Sequence, residues 1–349
     1  MAVYIFLALF PFVLQIFFSN LKNSKWQRRT YLIISGAILV FFVGLRHYSL
    51  GSTDTFHYYA AMKQAIVSSS FDEFYSPELY EKAFQYFVFI LSRVFNNAQW
   101  LLIITSFIYI GSTLFFISRN CDDMPLAISL YTSICNLKFQ MQGMRQAIAM
   151  SICLFAFEEA KKKHFWRFLA IVLFASLFHR TAIVFLVVYW LVNLRPNGVN
   201  VIFVSIGCAV ALMFSSSLVN IANSLFGEQY ASTVESGGFV ATVIYVLVLI
   251  VCFLYYKCAP VKEEKYFPLV YICLIATTTY VMRYTGVLVA ERISFYFSFT
   301  QIALIPIAAK LFKPKEGMIC KVIIILLSVG LSAYRLIGSG FLPYMFFWQ

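Results

Sequence analysis

Charge is scarce in this sequence. Only 12% of its 349 residues are Asp, Glu, Lys or Arg, about half the share of a soluble domain. At the same time 61% are hydrophobic and the mean hydropathy is +0.81, which excludes a soluble globular or disordered chain. A soluble domain is missing too; the longest polar connection covers residues 44–81. The first twenty residues lack a basic leader and a clear small-residue cleavage site, so they read as a retained span and not a signal peptide. No Cys-x-x-Cys pair occurs among the eight cysteines. Scattered mostly through apolar runs, they read as small buried hydrophobes, with no metal site and no disulfide framework. A Walker loop, a metal triad, a Gly-x-Ser-x-Gly elbow and a Cys–His nucleophile pair are all absent. Chemistry here would rest on acid–base side chains and phosphate clamps, with no cofactor.

Apolar runs fall near residues 3–18, 31–43, 84–94, 100–117, 125–137, 147–157, 165–178, 182–192, 199–218, 239–256, 267–280, 293–309 and 319–331. They predict an all-α polytopic membrane protein with roughly 10–13 transmembrane or re-entrant helices, read as one integral unit over residues 1–349. The net charge of +12 sits in short loops between these runs. That pattern sets topology and contacts anionic lipid in the bilayer; it is not a nucleic-acid groove. Four basic loops are expected to face the cytoplasm: Lys22, Lys25, Arg28 and Arg29; Lys161–Lys163 with Arg167; Lys257, Lys262 and Lys265; and Lys310, Lys313, Lys315 and Lys321. Residues 44–81 then face outward, with Arg145, His179, Arg180, Arg283, Glu291 and Arg292 near the same face. This parity requires 125–137 to be a re-entrant or interfacial piece, and 165–178 and 182–192 to form a helical pair turning at His179-Arg180. No internal repeat marks a transporter built from duplicated halves.

The densest polar stretch is Gly44-Leu45-Arg46-His47-Tyr48-Ser49-Leu50-Gly51-Ser52-Thr53-Asp54-Thr55-Phe56-His57-Tyr58-Tyr59. It reads either as an interfacial cap, with Arg46 snorkelling and the tyrosines in an aromatic belt, or as a polar site at the membrane surface. Arg145 opens a helix, where a cation opposes the dipole unless an anion is shared with the free N–H groups; the alternative is a snorkelling cation. His179-Arg180 interrupts nearly thirty apolar residues, and charges at such depth need partners or water. Glu291-Arg292 reads as a local ion pair or a further charged site, and Arg283 as an interface anchor or part of that site. Together these arginines describe a cationic basin suited to bidentate phosphate binding.

These residues resemble the EpsG family of Wzy-like polysaccharide polymerases. The likeness runs from Gly44-Leu45-Arg46 and Gly51-x-x-Asp54-x-x-x-Tyr58-Tyr59 through Tyr80-Glu81 and Met144-Arg145-Gln146-Ala147-Ile148-Ala149. It continues in Ala175-Ser176-Leu177-Phe178-His179-Arg180-Thr181-Ala182 and ends at Arg292 and Tyr296. Arg180 stands where many members are expected to carry Lys. The resemblance implies a GT-C-like glycosyltransferase architecture in the bacterial inner membrane. It also implies polymerisation of oligosaccharide repeat units carried on undecaprenyl diphosphate, with a chain-length regulator as a partner protein.

On chemical grounds, a growing glycan would pass from its polyprenyl diphosphate to a hydroxyl of an incoming repeat unit without a metal ion. Arg46, Arg145 and Arg292 are expected at the diphosphate, with Arg180 and Tyr58 beside them, and Glu81 and Glu291 as orienting partners. Asp54 and His179 are the two candidates for the base. His179 is favoured, because burial and neighbouring guanidinium groups disfavour imidazolium; Asp54 then orients. A transporter or flippase, or a ligase for the same lipid-linked sugars, would use similar arginines.

Overall fold

The computed structural model describes residues 1–18, 21, 24–51, 53–78, 80–226, 238–259, 263–285 and 288–349. Lys22, Ser52 and Lys262, named above, lie outside them. Among the described residues the fold is all-α, with no β-strand and one isolated antiparallel bridge from Arg46 to Phe346. In chain order the helices are α1 (Ala2–Gln15), α2 (Lys25–Gly44), α3 (Thr53–Val67), α4 (Phe71–Phe74), α5 (Lys82–Val94) and α6 (Gln99–Asn120). Next come α7 (Met124–Ser133), α8 (Leu137–Gln142), α9 (Met144–Lys161), α10 (Phe165–Phe178), a 3₁₀ segment Arg180–Leu186 and α11 (Val187–Asn193). The remainder are α12 (Gly198–Met213), α13 (Ser215–Phe226), α14 (Phe239–Cys258), α15 (Phe267–Val281), α16 (Leu288–Phe295), α17 (Thr300–Leu304), a 3₁₀ segment Ile305–Leu311 and α18 (Pro314–Leu336).

Four helical stretches are long and apolar enough to cross a membrane: Gln99–Asn120, Phe239–Cys258, Glu264–Tyr284 and Pro314–Leu336. Six result if Gly198–Met213 with Ser215–Ala222, bent by 78°, and Val289–Phe295 with Thr300–Leu311, bent by 48°, each count as one span. The other apolar runs form shorter helices, such as Ala2–Gln15 and Phe165–Phe178. Less than a quarter of Phe239–Cys258 and of Pro314–Leu336 is buried, and side chains such as Leu326 and Leu327 stand outward. Water would not tolerate that much exposed apolar surface, whereas lipid does. The protein is therefore an all-α, polytopic membrane protein.

By its internal contacts the chain divides into two compact units. The first comprises Met1–Leu154, Phe174–His179 and Ile323–Gln349, the second Phe155–Leu173 and Arg180–Val322.

In the first unit, backbone bonds broken by the sequence are remade by side chains. Pro11 has no N–H, so the Leu7 carbonyl loses its helical donor; the Thr132 hydroxyl of α7 donates to it at 2.9 Å. Asp123 caps α7 by accepting from the Leu126 N–H, and all ten residues of that helix are buried. At ten residues α7 is about 15 Å long, half a bilayer core, and α8 follows as a separate short piece. Residues 44–81, expected as a polar connection, instead carry α3 and the short α4, so Asp54 stands in the first turn of a helix and not in a loop. The chain after Leu331, which belongs to no apolar run, folds back over residues 44–51. His47 N–H donates to the Met345 carbonyl at 2.9 Å, Phe347 N–H to Leu45 at 2.9 Å and Gly51 N–H to Gly340 at 3.1 Å. At Gly51 φ is +109°, and a Cβ would come within 2.8 Å of the Phe341 ring. Only glycine fits there.

In the second unit the first part of α10 packs against the segment that follows Arg180. Phe168 packs on Phe185 and Phe165 on Tyr189, and Tyr189 donates to the Lys163 carbonyl. Tyr271 of α15 donates to the Arg195 carbonyl at 2.9 Å. Lys310 bridges to Glu263 and Tyr266. The eight cysteines are all free, five of them buried.

Candidate functional site

In the first unit four chain segments bring one polar cluster together. Asp54 and Tyr58 lie four residues apart on α3 and share a face. Glu81 is the residue before α5, where its side chain makes no cap bond. It turns instead to Arg145, whose Nη1 donates to Glu81 Oε2 in an ion pair, and to His179, whose Nδ1 lies 3.0 Å from Glu81 Oε1. Arg145 is the second residue of α9. Its Nε donates to the Tyr58 hydroxyl at 3.2 Å, and its guanidinium lies 4.8 Å from the centre of the Tyr80 ring. His179 follows the last residue of α10.

The apolar surroundings fix these positions. Tyr58 itself, Phe84 three residues after Glu81, Met144 before Arg145 and Phe178 before His179 belong to or pack against one buried cluster with Met62, Leu101 and Ile148. Glu81, Arg145 and His179 are therefore one to three residues from a side chain seated in or against a close-packed core, which holds their rotamer choice narrow.

Burial alone would push the Glu81 carboxyl up. The His179 hydrogen bond and the charges of Arg145 and His179 outweigh it and hold the group down to about 2. An ionised carboxylate can only accept, so the His179 Nδ1 carries the proton; in the neutral ring the lone pair is then on Nε2. Burial first, then Tyr58 and the Asp54 charge, raise the Tyr80 hydroxyl to about 12 against the lowering effect of Arg145, so it stays a donor. The Asp54 carboxylate is thus close enough to be felt at Tyr80.

The sequence-derived residues divide between the two units. Asp54, Tyr58, Glu81, Arg145 and His179 come together in the first. The anion that meets Arg145 at the start of its helix is an internal one, Glu81. Arg46 is in the same unit but has another place: it is fully buried. Its Nη1 donates to the Val43 carbonyl at 2.5 Å and its Nη2 to the Met141 carbonyl at 2.7 Å. These are carbonyls at the C-terminal ends of α2 and α8, which have no helical donor of their own. Its guanidinium is thus engaged with backbone carbonyls inside the first unit. In the second unit Arg180 is exposed and Arg292 half-buried. Glu291 pairs with Arg283 at 3.4 Å. Arg283 also donates to the Tyr280 hydroxyl at 2.6 Å.

Two contributors were given no role from the sequence. Tyr80 is a neighbour of Glu81, and its face under Arg145 becomes visible only in three dimensions. Gln99, at the start of α6, donates to the Gly44 and Arg46 carbonyls at 2.7 and 3.0 Å and pins the turn that leads to α3. Nothing in its local sequence signals that.

The sequence model of the EpsG family matches residues 29–346, nearly the whole chain. The protein belongs to the EpsG family. No curated protein and no solved structure matches it. Membership brings a polysaccharide-polymerase-like role in general, and the cluster of this EpsG-family chain falls on the motif residues Asp54, Tyr58, Glu81, Arg145 and His179 within the matched span.

Proposed function

We propose that this EpsG-family protein polymerises oligosaccharide repeat units carried on undecaprenyl diphosphate, by glycosyl transfer at the outer face of the bacterial inner membrane. The observation that carries this reading is the partly buried Glu81–His179 pair beside Arg145, in a member of a polymerase-like family. An acceptor-sugar hydroxyl attacks the anomeric carbon at the reducing end of the growing chain. The new C–O bond forms there as the bond from that carbon to the diphosphate oxygen breaks. The electron pair leaves with the diphosphate, and the hydroxyl proton passes to His179 Nε2. Glu81, through Nδ1–H, holds the ring in that tautomer and stabilises the imidazolium that forms. Arg145 keeps Glu81 ionised and sets a positive field for the departing diphosphate. Asp54, one turn from Tyr58, orients the incoming hydroxyl. Arg180 and Arg292, of the second unit, are assigned to substrate binding. Arg46 is given a structural role, because its donors already serve two helix ends.

The test is purified protein given a single lipid-linked repeat unit. A ladder of products spaced by one repeat is expected. A flippase yields no ladder, and a ligase yields transfer to another acceptor only; either result would replace this reading.

A further inference from the structure

Away from that cluster, two cations lie near one another at the ends of α8 and α18. Lys138 of α8 donates from Nζ to the Ser332 carbonyl of α18 at 3.2 Å. Arg335, three residues further along α18, donates from Nη1 to the Ile134 carbonyl at 3.3 Å. Ile134 closes α7 and lies four residues before Lys138. The two bonds tie the same two chain segments together and bring the guanidinium near enough for its charge to act on the ammonium. Among the described residues neither cation belongs to any ion pair.

The carbonyl contacts explain one cation at each helix end, since helix C-termini attract positive charge. They do not explain two like charges brought together, with the Lys138 ammonium half-buried and the Arg335 side chain exposed beside it. Burial, with the Arg335 charge added, pulls the Lys138 ammonium down to about 7. An anion between the two groups would reverse that effect.

Depth in the membrane says which anion. Twenty-three residues of α18 span about 34 Å, enough to cross a hydrocarbon core of about 30 Å. Arg335 stands in its last turn, and Tyr334 and Ile337 on either side face outward. The pair thus lies at the level of the head groups, where Tyr and Arg collect. A guanidinium fork beside a point-like ammonium suits a phosphate with several oxygens.

We propose that Lys138 and Arg335 form a binding site for the phosphate of a lipid head group. The site is separate from the glycosyl-transfer cluster and does not depend on the reading given to it. The shared chemistry admits two sources, a bilayer phospholipid or a polyprenyl phosphate.

Native mass spectrometry of the full chain in detergent separates them, with dioleoyl phosphatidylglycerol, undecaprenyl phosphate and, as a phosphate-free control, dioleoylglycerol. Wild type should retain one or both phosphate lipids over the control. Lys138→Gln and Arg335→Gln should each weaken that retention about tenfold, the effect of roughly one charge-assisted hydrogen bond, with dioleoylglycerol unchanged. Equal loss for both lipids identifies a general phospholipid site, and loss for the polyprenyl phosphate alone identifies a carrier site. The doubly exchanged variant Lys138→Arg/Arg335→Lys keeps both charges and should keep binding, which guards against a folding defect in the glutamine variants. Unchanged retention in both glutamine variants, or loss of binding in the charge-keeping exchange, would overturn the proposal.

Discussion

Glu81→Gln isolates what the central carboxylate does. The substitution keeps shape and one acceptor oxygen but removes the charge that both Arg145 and His179 face. The carboxyl is held at about 2 against an ordinary 4.5, a depression worth about 3 kcal/mol of folded-state stability. Because the folded value is lowered, that stability is fully present above 4.5 and drains away as pH falls toward 2. Wild type should therefore lose thermal stability between about pH 5 and 3. Glu81→Gln should melt lower at pH 7, at roughly 2–4 °C per kcal/mol for a unit of 150–250 residues, and should change little across the acidic window. Leaving the Arg145 charge partly buried without its partner adds to the cost. In activity the variant loses tautomer control of His179, so polymerisation should fall on the order of 10²-fold or more. The assay is detergent-solubilised thermal unfolding from pH 3 to 8, read beside the repeat-unit ladder. A variant with wild-type melting, the same acidic decline and an undiminished ladder would refute the reasoning.

Other outcomes follow from the same geometry. His179→Gln should remove most of the polymerisation rate, on the order of 10²–10⁴-fold, while Asp54→Asn keeps a measurable rate; a dead Asp54→Asn with an active His179→Gln would exchange their roles. Arg46→Lys restores charge but cannot reach both the Val43 and Met141 carbonyls, so the melting temperature should fall by the equivalent of about 1.5–3 kcal/mol with the KM for donor unchanged. A raised KM at unchanged melting would return Arg46 to the diphosphate. Gly51→Ala should cost at least about 1–2 kcal/mol in stability from its φ of +109° and the Phe341 contact. Adding Phe341→Ala should recover only part of that loss in thermal unfolding, because the backbone strain remains; full recovery would show that the ring contact alone forbids a side chain.

Composition settled the solvent before anything else. A chain this apolar, with charge confined to short loops, can satisfy its backbone in lipid only as helices, so class and membrane residence were legible in the order of residues. The isolated polar motifs were legible for the same reason. Asp54, Glu81, Arg145 and His179 stand out because an apolar chain carries few groups that need partners, and their order matches one family. Which partner each would find was not legible. Arg46 and Arg145 look alike in sequence, each at the boundary of an apolar run, yet one ends on two helix-end carbonyls and the other on Glu81. The difference comes from elements far apart in the chain. The folded-back C-terminal segment and Gln99 seal Arg46 in, while α5, α9 and α10 converge on Glu81. Local sequence fixes what each helix is and how polar its ends are. Only the packing of helices 55 to 125 residues apart along the chain, such as α2 on α6 or α1 on α7, decides which ends meet, because that choice depends on the shapes of side chains which sequence order does not bring together.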